Sequence, residues 1–221
     1  MRKIRLGAVL AACLLATQAA HGAAMGMGGI GPAAPYKPYR TVNLGPRYDH
    51  VVIEAMVYEC PYCRQLNDPT LQWAKTLPAG IHFAQMPAVV GQNWIPMGQA
   101  YFSVAAMDPQ ALQSFDDEAF GMVQDQHESF SDPRTYAQAA KDIGLNIRSY
   151  IQAAGDPEVH KLVLDDIKIM ARAKIRQTPS LIICGKYVIT PGSVQGNYGM
   201  YFEMANALVS RCLTENRMEH P

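Results

Sequence analysis

A mixed α/β fold, with a block of helices set into its sheet-forming chain, is predicted by three observations. The apolar run Val51-Val52-Ile53-Glu54-Ala55-Met56-Val57 leads into Cys60-Pro61-Tyr62-Cys63 and then Arg64-Gln65-Leu66-Asn67, a strand handing over to a helix. Residues 93–174 read as helical throughout. Two short strand-like runs and a last helical stretch follow them.

The elements follow in order. Arg2, Lys3 and Arg5 precede an almost wholly apolar stretch, 6–16, and small residues through Ala24, which is the pattern of a secretory signal peptide over 1–24, with cleavage after Gly22 or Ala24. The apolar run falls short of the roughly 20 residues a membrane-spanning helix needs, so the mature chain is expected to be soluble. Leu10-Ala11-Ala12-Cys13 is also similar to a bacterial lipobox, which would lipidate Cys13; the early cysteine and the continuing apolar Leu14-Leu15-Ala16 weigh against it. Residues 25–38, rich in Gly, Ala and Pro, are expected to form a flexible arm, in which Met25 and Met27 are more simply incidental than metal ligands.

Tyr39-Arg40-Thr41-Val42 reads as a short strand before a Gly45-Pro46 turn, and 50–58 as the central strand. The helix after the CxxC runs toward Leu77 with Pro69 kinking it and Trp73 on its apolar side, and Leu77-Pro78-Ala79-Gly80 ends it. Residues 81–86 read as a strand. Asp108-Pro109, Asp132-Pro133 and Asp156-Pro157 each pair an N-capping aspartate with a proline at the first helical position. The last helix of this block places Val159, Leu162, Val163, Ile167 and Met170 on one stripe. Strands at 181–184 and 187–190 flank a Gly185-Lys186 turn, and a final helix covers about 197–212. The order β, β, α, β, helices, β, β, α matches a thioredoxin-like fold carrying a helical insertion. The expected division is 39–92 and 175–214 for the thioredoxin-like domain, 93–174 for the insertion and 215–221 for a C-terminal tail.

The CxxC spacing lets two thiols close into a disulfide and reopen. A helix N-terminus offers unpaired N–H groups and partial positive charge, and Pro61 suits its first position, so Cys60 is expected to be the thiolate and Cys63 the less exposed resolving thiol. A zinc site needs four ligands, and neither a second CxxC nor a His-x3-His pair occurs, so no metal or other cofactor is expected. His82, His127 and His160 have no metal-like spacing. Lys plus Arg (19) equals Asp plus Glu (19), which gives no electrostatic reason to bind nucleic acid, and Lys168, Arg172, Lys174 and Arg176 read as a solvated face. With Cys13 removed, four cysteines remain, an even set that suits an oxidising compartment. If the last helix runs antiparallel to the final strand, its rise of about 1.5 Å per residue brings Cys212 back toward Cys184, within reach of a structural disulfide; two buried thiols are the alternative.

Nearly the whole mature chain resembles the DsbA-type periplasmic thiol-disulfide oxidoreductases. The matching features are Glu54 six positions before the CxxC, Cys60-Pro61-Tyr62-Cys63, Leu77-Pro78-Ala79-Gly80, Thr178-Pro179 ahead of a strand, and Gly185-Lys186-Tyr187. The resemblance implies that Pro179 is a cis-proline lying against the redox pair, that the Thr178 backbone pairs with an extended substrate segment, and that Glu54 is a buried acid relaying protons. A trans proline beginning a strand, and a glutamate on a polar face or beside a cation, are the plainer alternatives. The lysine that the family places near the acid is replaced by Gln85. The implied activity is disulfide donation to reduced, unfolded secreted proteins, with re-oxidation by a DsbB-type membrane partner. Tyr62 and Thr178 instead resemble the isomerases and reductases of the same compartment. Such isomerases usually carry a dimerisation domain, for which the segment before the first strand is too short, favouring a monomeric oxidase. Pro87, Trp94, Ile95 and Met97 line a substrate groove or belong to the core. A thioredoxin-like chaperone that makes little use of its cysteines is the non-enzymatic alternative.

Overall fold

The computed structural model describes residues 37–219; the expected signal peptide with Cys13, and the arm as far as residue 36 with Met25 and Met27, lie outside them. In chain order the elements are β1 (Arg40–Thr41), β2 (Val51–Met56), α1 (Pro61–Ala74), β3 (His82–Pro87), α2 (Ile95–Met107), α3 (Leu112–Gln124), α4 (Pro133–Asp142), α5 (Ile147–Ala154), α6 (Pro157–Arg172), β4 (Ser180–Ile183), β5 (Tyr187–Ile189) and α7 (Tyr198–Glu219). The sheet order is β1-β5-β4-β2-β3, with β2 and β3 parallel and the other neighbours antiparallel. It is the thioredoxin-like arrangement with helices α2 to α6 inserted between β3 and β4.

Both faces of the sheet are covered, so its central strands are apolar on both sides, and their two-residue alternation sorts side chains between two cores. Ile53, Ala55, Ile182 and Val188 join the core shared with the inserted helices. Val52, Leu181, Ile183, Tyr187 and Ile189 join the other, with Leu66 and Trp73 of α1 and Tyr201, Leu208 and Val209 of α7. Burying each such Leu or Ile contributes about 1.5–3 kcal/mol, which is why β2 and β4 hold the middle of the sheet. Glu54 follows the alternation onto the α1 and α7 side, where Trp73 Nε1 also donates to Asn206 Oδ1 (2.9 Å).

Local signals act as the sequence predicts at the inserted helices. The carboxylates of Asp108, Asp132 and Asp156 accept from the N–H groups of Gln110, Arg134 and Glu158 at 3.0, 2.9 and 2.8 Å, each with a proline in the first turn. Three expectations need correction. Leu162 of α6 is 44% exposed, and the inward stripe is Val159, Val163, Asp166 and Met170. Asp166 takes an inward place because its Oδ2 accepts the Val89 N–H at 3.2 Å, tying α6 to the chain leaving β3. The residues expected as a tail after 214 continue α7 to Glu219, where Asn216 turns inward and donates to the Asp49 carbonyl (2.8 Å). The turn between β4 and β5 is centred on Cys184-Gly185, one residue earlier than predicted. Both have positive φ (52° and 60°), and Lys186 N–H closes it on the Ile183 carbonyl at 3.0 Å, a geometry whose twist matches that of the flanking strands.

That turn brings Cys184 against α7, and Cys184 and Cys212 form a disulfide, both fully buried. Because the bridge closes 28 residues of chain, replacing both cysteines with alanine is expected to lower unfolding stability by about 3.5 kcal/mol in urea titration. In the unreduced, denatured protein neither cysteine should react with an alkylating agent, and modification of either would show that the pair is not bonded.

Candidate active site

The site forms where β2 ends and α1 begins. Cys60 is the N-cap of α1 in extended conformation, Pro61 occupies the first turn, and Cys60 Sγ accepts the Cys63 N–H at 3.3 Å. The sequence alone supplies this arrangement: a buried strand, one turn, then a proline whose missing N–H costs nothing at a helix start. Both thiols are free; Cys60 is half-buried and Cys63 is 1% exposed. Hydrogen bonding from the Cys63 thiol, then from the Thr178 side chain and the backbone N–H groups of Cys63 and Tyr62, outweighs partial burial and lowers the Cys60 pKa to about 6. Burial, reinforced by the adjacent Cys60 sulfur, pushes Cys63 far in the opposite direction. One thiol is thus suited to ionise and its partner to keep its proton.

The Thr178-Pro179 peptide is cis, and the Thr178 carbonyl accepts from the Cys60 thiol at 3.2 Å. Ser180 opens β4 opposite Ala55 of β2, and its hydroxyl donates to the Gln177 carbonyl (2.6 Å), so the sheet itself presses the proline loop toward the thiols. Two clefts flank the loop. One, of about 590 Å³, is lined by Tyr62, Thr178, Pro179, Pro191 and Tyr198, with Tyr62 59% exposed. The other, of about 280 Å³, is mostly apolar and takes its wall from Cys60, Val57, Ala88, Val90, Trp94 and Ile175. Of the residues considered for a groove, Trp94 lines this cleft, whereas Met97 and Pro87 are buried and Ile95 packs against the core.

Glu54 is buried, and its Oε2 accepts from Gln85 Nε2 (3.0 Å), its register partner on β3; the same amide reaches Asn67 Oδ1 of α1 (2.8 Å). Burial raises the carboxyl pKa to about 8. Glu54 has no ion pair among the described residues and no hydrogen bond to either cysteine. Its link to the redox pair runs past Tyr201, whose buried hydroxyl is held un-ionised by burial and by the neighbouring Glu54 and Cys63.

Several contacts had no sequence signal. Gln124, at the end of α3, donates to the carbonyls of Tyr58 (2.7 Å) and Cys60 (3.1 Å), bracketing the junction before the helix. Next to it, Asp125 receives two parallel hydrogen bonds from Arg64 of α1, both 2.7 Å. Deeper down, the Tyr58 hydroxyl donates to buried Asp116 (2.6 Å), whose pKa burial raises to about 7. These partners lie some 60 residues away in sequence, and only packing of the insertion brings them together. His82, His127 and His160 are exposed, and no group of three or more His, Cys, Asp or Glu among the described residues could hold a metal ion.

Two outcomes follow. Thiolate absorbance of the reduced protein should titrate with a midpoint near pH 6, and Cys60→Ala should abolish that transition; a midpoint near 8.5 would contradict the geometry. Glu54 has its folded pKa above its unfolded value of about 4.3, so ionisation opposes folding as pH rises from there to about 8. Glu54→Gln, which can still accept from Gln85, should therefore match the parent in stability near pH 4 and exceed it increasingly up to pH 8, as followed by denaturant titration.

No protein-family model matches the chain. It is 25% identical over 199 residues to the thiol:disulfide interchange protein DsbA of Azotobacter vinelandii, covering 89% of this chain and 91% of that protein. It is 22% identical over 145 residues to DsbA of Pseudomonas aeruginosa, covering 66% and 68%. The crystal structure of Pseudomonas aeruginosa DsbA superposes with a TM-score of 0.73 at 19% identity, over 82% of this chain and 95% of that one. In sequence and in fold alike, the chain is similar to the DsbA-type thiol-disulfide oxidoreductases.

Proposed function

We propose that this chain donates disulfides to reduced, unfolded exported proteins through Cys60 and Cys63. The observation that carries the reading is the opposed ionisation of the pair: Cys60 at the helix N-cap with a pKa lowered to about 6, and Cys63 beneath it favouring its proton. Stabilising the Cys60 thiolate stabilises the reduced form, which makes the disulfide oxidising.

In the first step a substrate thiolate attacks Cys60 Sγ of the oxidised pair. The Cys60–Cys63 bond breaks, a substrate–Cys60 disulfide forms, and Cys63 leaves as a thiolate that takes up a proton because its buried site disfavours charge. The second substrate thiolate then attacks the substrate sulfur of the mixed disulfide and displaces Cys60, a ready leaving group by virtue of its low pKa. The substrate loses two electrons and the pair gains them. The cis-Pro179 loop presents the backbone at Thr178 to an extended substrate segment, in the manner of strand addition, and Tyr62 forms the rim of the adjoining cleft. Glu54, protonated at neutral pH, serves as a proton reserve on the Cys63 side.

Turnover needs a re-oxidant, for which a DsbB-type membrane partner is the fitting class. The proposed compartment is the periplasm, reached through the N-terminal signal. No helix among the described residues is long and apolar enough to cross a membrane. The competing direction, isomerase or reductase, draws on Tyr62 and Thr178. Equilibration against glutathione separates them: the oxidase reading expects a potential at or above roughly −180 mV, whereas a value near the roughly −270 mV of thioredoxin would assign a reductase. Cys60→Ala should abolish oxidation of a reduced protein substrate; retention of full effect would point to a chaperone.

A further inference from the structure

A cavity of about 610 Å³ adjoins the Pro179 cleft, and Gln177, Thr190 and Gly192 line both. Three cations, Arg40, Lys174 and Arg176, line it, and no carboxylate does. The chain as a whole has a net charge of zero, so this concentration of positive charge is local.

The backbone at the end of α6 positions two of these residues and anchors the side chain of the third. Lys174 adopts the left-handed conformation that glycine favours (φ 52°), with its N–H on the Ala171 carbonyl and the Ile175 N–H on the Met170 carbonyl, both 3.0 Å. The Arg40 guanidinium reaches across from β1 to the carbonyls of Ala173 (3.5 Å) and Lys174 (3.3 Å). Neither the Lys174 ammonium nor the Arg176 guanidinium has a hydrogen bond or ion pair with another described residue. Both residues are exposed, and with Arg40 they give the cavity beside the redox groove a positive lining that complements a ligand with negative charge.

Resting on the disulfide-exchange reading above, we propose that this cavity is a specificity subsite for acidic side chains of the protein substrate. Arg176 lies two residues before Thr178, and Lys174 four. Residues 174–178 are turn, irregular chain and bend between α6 and β4, and Arg176 and Gln177 also line the cleft walled by Cys60. An extended substrate segment advances about 3.3 Å per residue, so an aspartate or glutamate two to four residues from a cysteine held at Cys60 has the reach to follow this cleft to Arg176 and the cavity that Lys174 lines. Arg176 can offer a carboxylate two parallel N–H groups, and Lys174 adds a point charge. The substrate class is thus reduced exported proteins whose cysteines are flanked by acidic residues.

The test measures reduction of the oxidised protein by single-cysteine peptides carrying Glu, Gln or Lys at positions two to four on either side. Rates are expressed per thiolate, because neighbouring carboxylates raise the peptide thiol's own pKa. The Glu peptide should react about tenfold faster than the Gln peptide at low ionic strength, and the ratio should approach one in high salt. In Lys174→Glu/Arg176→Glu the order should invert in favour of the Lys peptide, and in the milder Lys174→Gln/Arg176→Gln the Glu-to-Gln ratio should fall to about one. Equal rates for Glu and Gln peptides, or a preference that survives both variants, overturn the subsite and leave the redox reading standing. If no peptide exchanges with the Cys60–Cys63 pair, the redox reading falls and the subsite with it.

Discussion

The seating of Cys60 at the start of α1, against the Thr178 carbonyl, is the constraint around which the rest of the molecule is arranged. A sulfur there receives backbone N–H groups from its own helix and lies within hydrogen-bond reach of a carbonyl brought from 118 residues away. That contact needs β2 and β4 in adjacent register, because Ser180 follows the proline loop and pairs with Ala55. It also needs β4 to remain buried on both faces, which is the work of α1 and α7 on one side and of the inserted helices on the other.

The insertion does more than cover a face. Several of its contacts with the sheet-bearing part of the chain fall at segments that border the thiols, and Arg172 at the end of α6 also reaches the Asn43 carbonyl beyond β1. Gln124 grips the carbonyls of Tyr58 and Cys60, Asp125 pairs with Arg64 one turn into α1, and Asp116 takes the Tyr58 hydroxyl. Asp166 holds the Val89 N–H just beyond β3, next to the apolar cleft.

Three carboxyls, Glu54, Asp116 and Asp166, are buried without a cationic partner among the described residues, and burial raises each toward or above neutrality. Each is satisfied in part by a neutral donor: an amide, a phenol or a backbone N–H. With the neutral amide of Gln85 beside it and no cation among the described residues to keep it ionised, Glu54 holds its proton at neutral pH. Arg40, Lys174 and Arg176 instead place positive charge at the surface, around the cavity beside the proline loop.

Much of the architecture was legible one-dimensionally, because its signals are local. Alternating or continuous apolar runs located the strands, Asp-Pro pairs located helix starts, and a CxxC directly after a buried strand located the reactive sulfur. Where local pattern misled, a distant partner had intervened. Asp166 sits in the inward stripe of α6, where its Oδ2 accepts the Val89 N–H, while Leu162 turns to solvent, and α7 runs past residue 214, where Asn216 donates to the Asp49 carbonyl. The turn at Cys184-Gly185 shifted by one residue because the strand twist selects two positive φ angles there. The sequence by itself therefore determined which groups could do redox chemistry, since the residue types and their spacing set the intrinsic reactivity of Cys60 and Cys63. Only the tertiary structure decided what surrounds them: the Thr178 carbonyl, the Gln124 clamp, the Cys184–Cys212 bond and the cation-lined cavity. Those contacts join residues far apart in the chain, and their geometry exists only once the sheet has paired and the helices have packed on it.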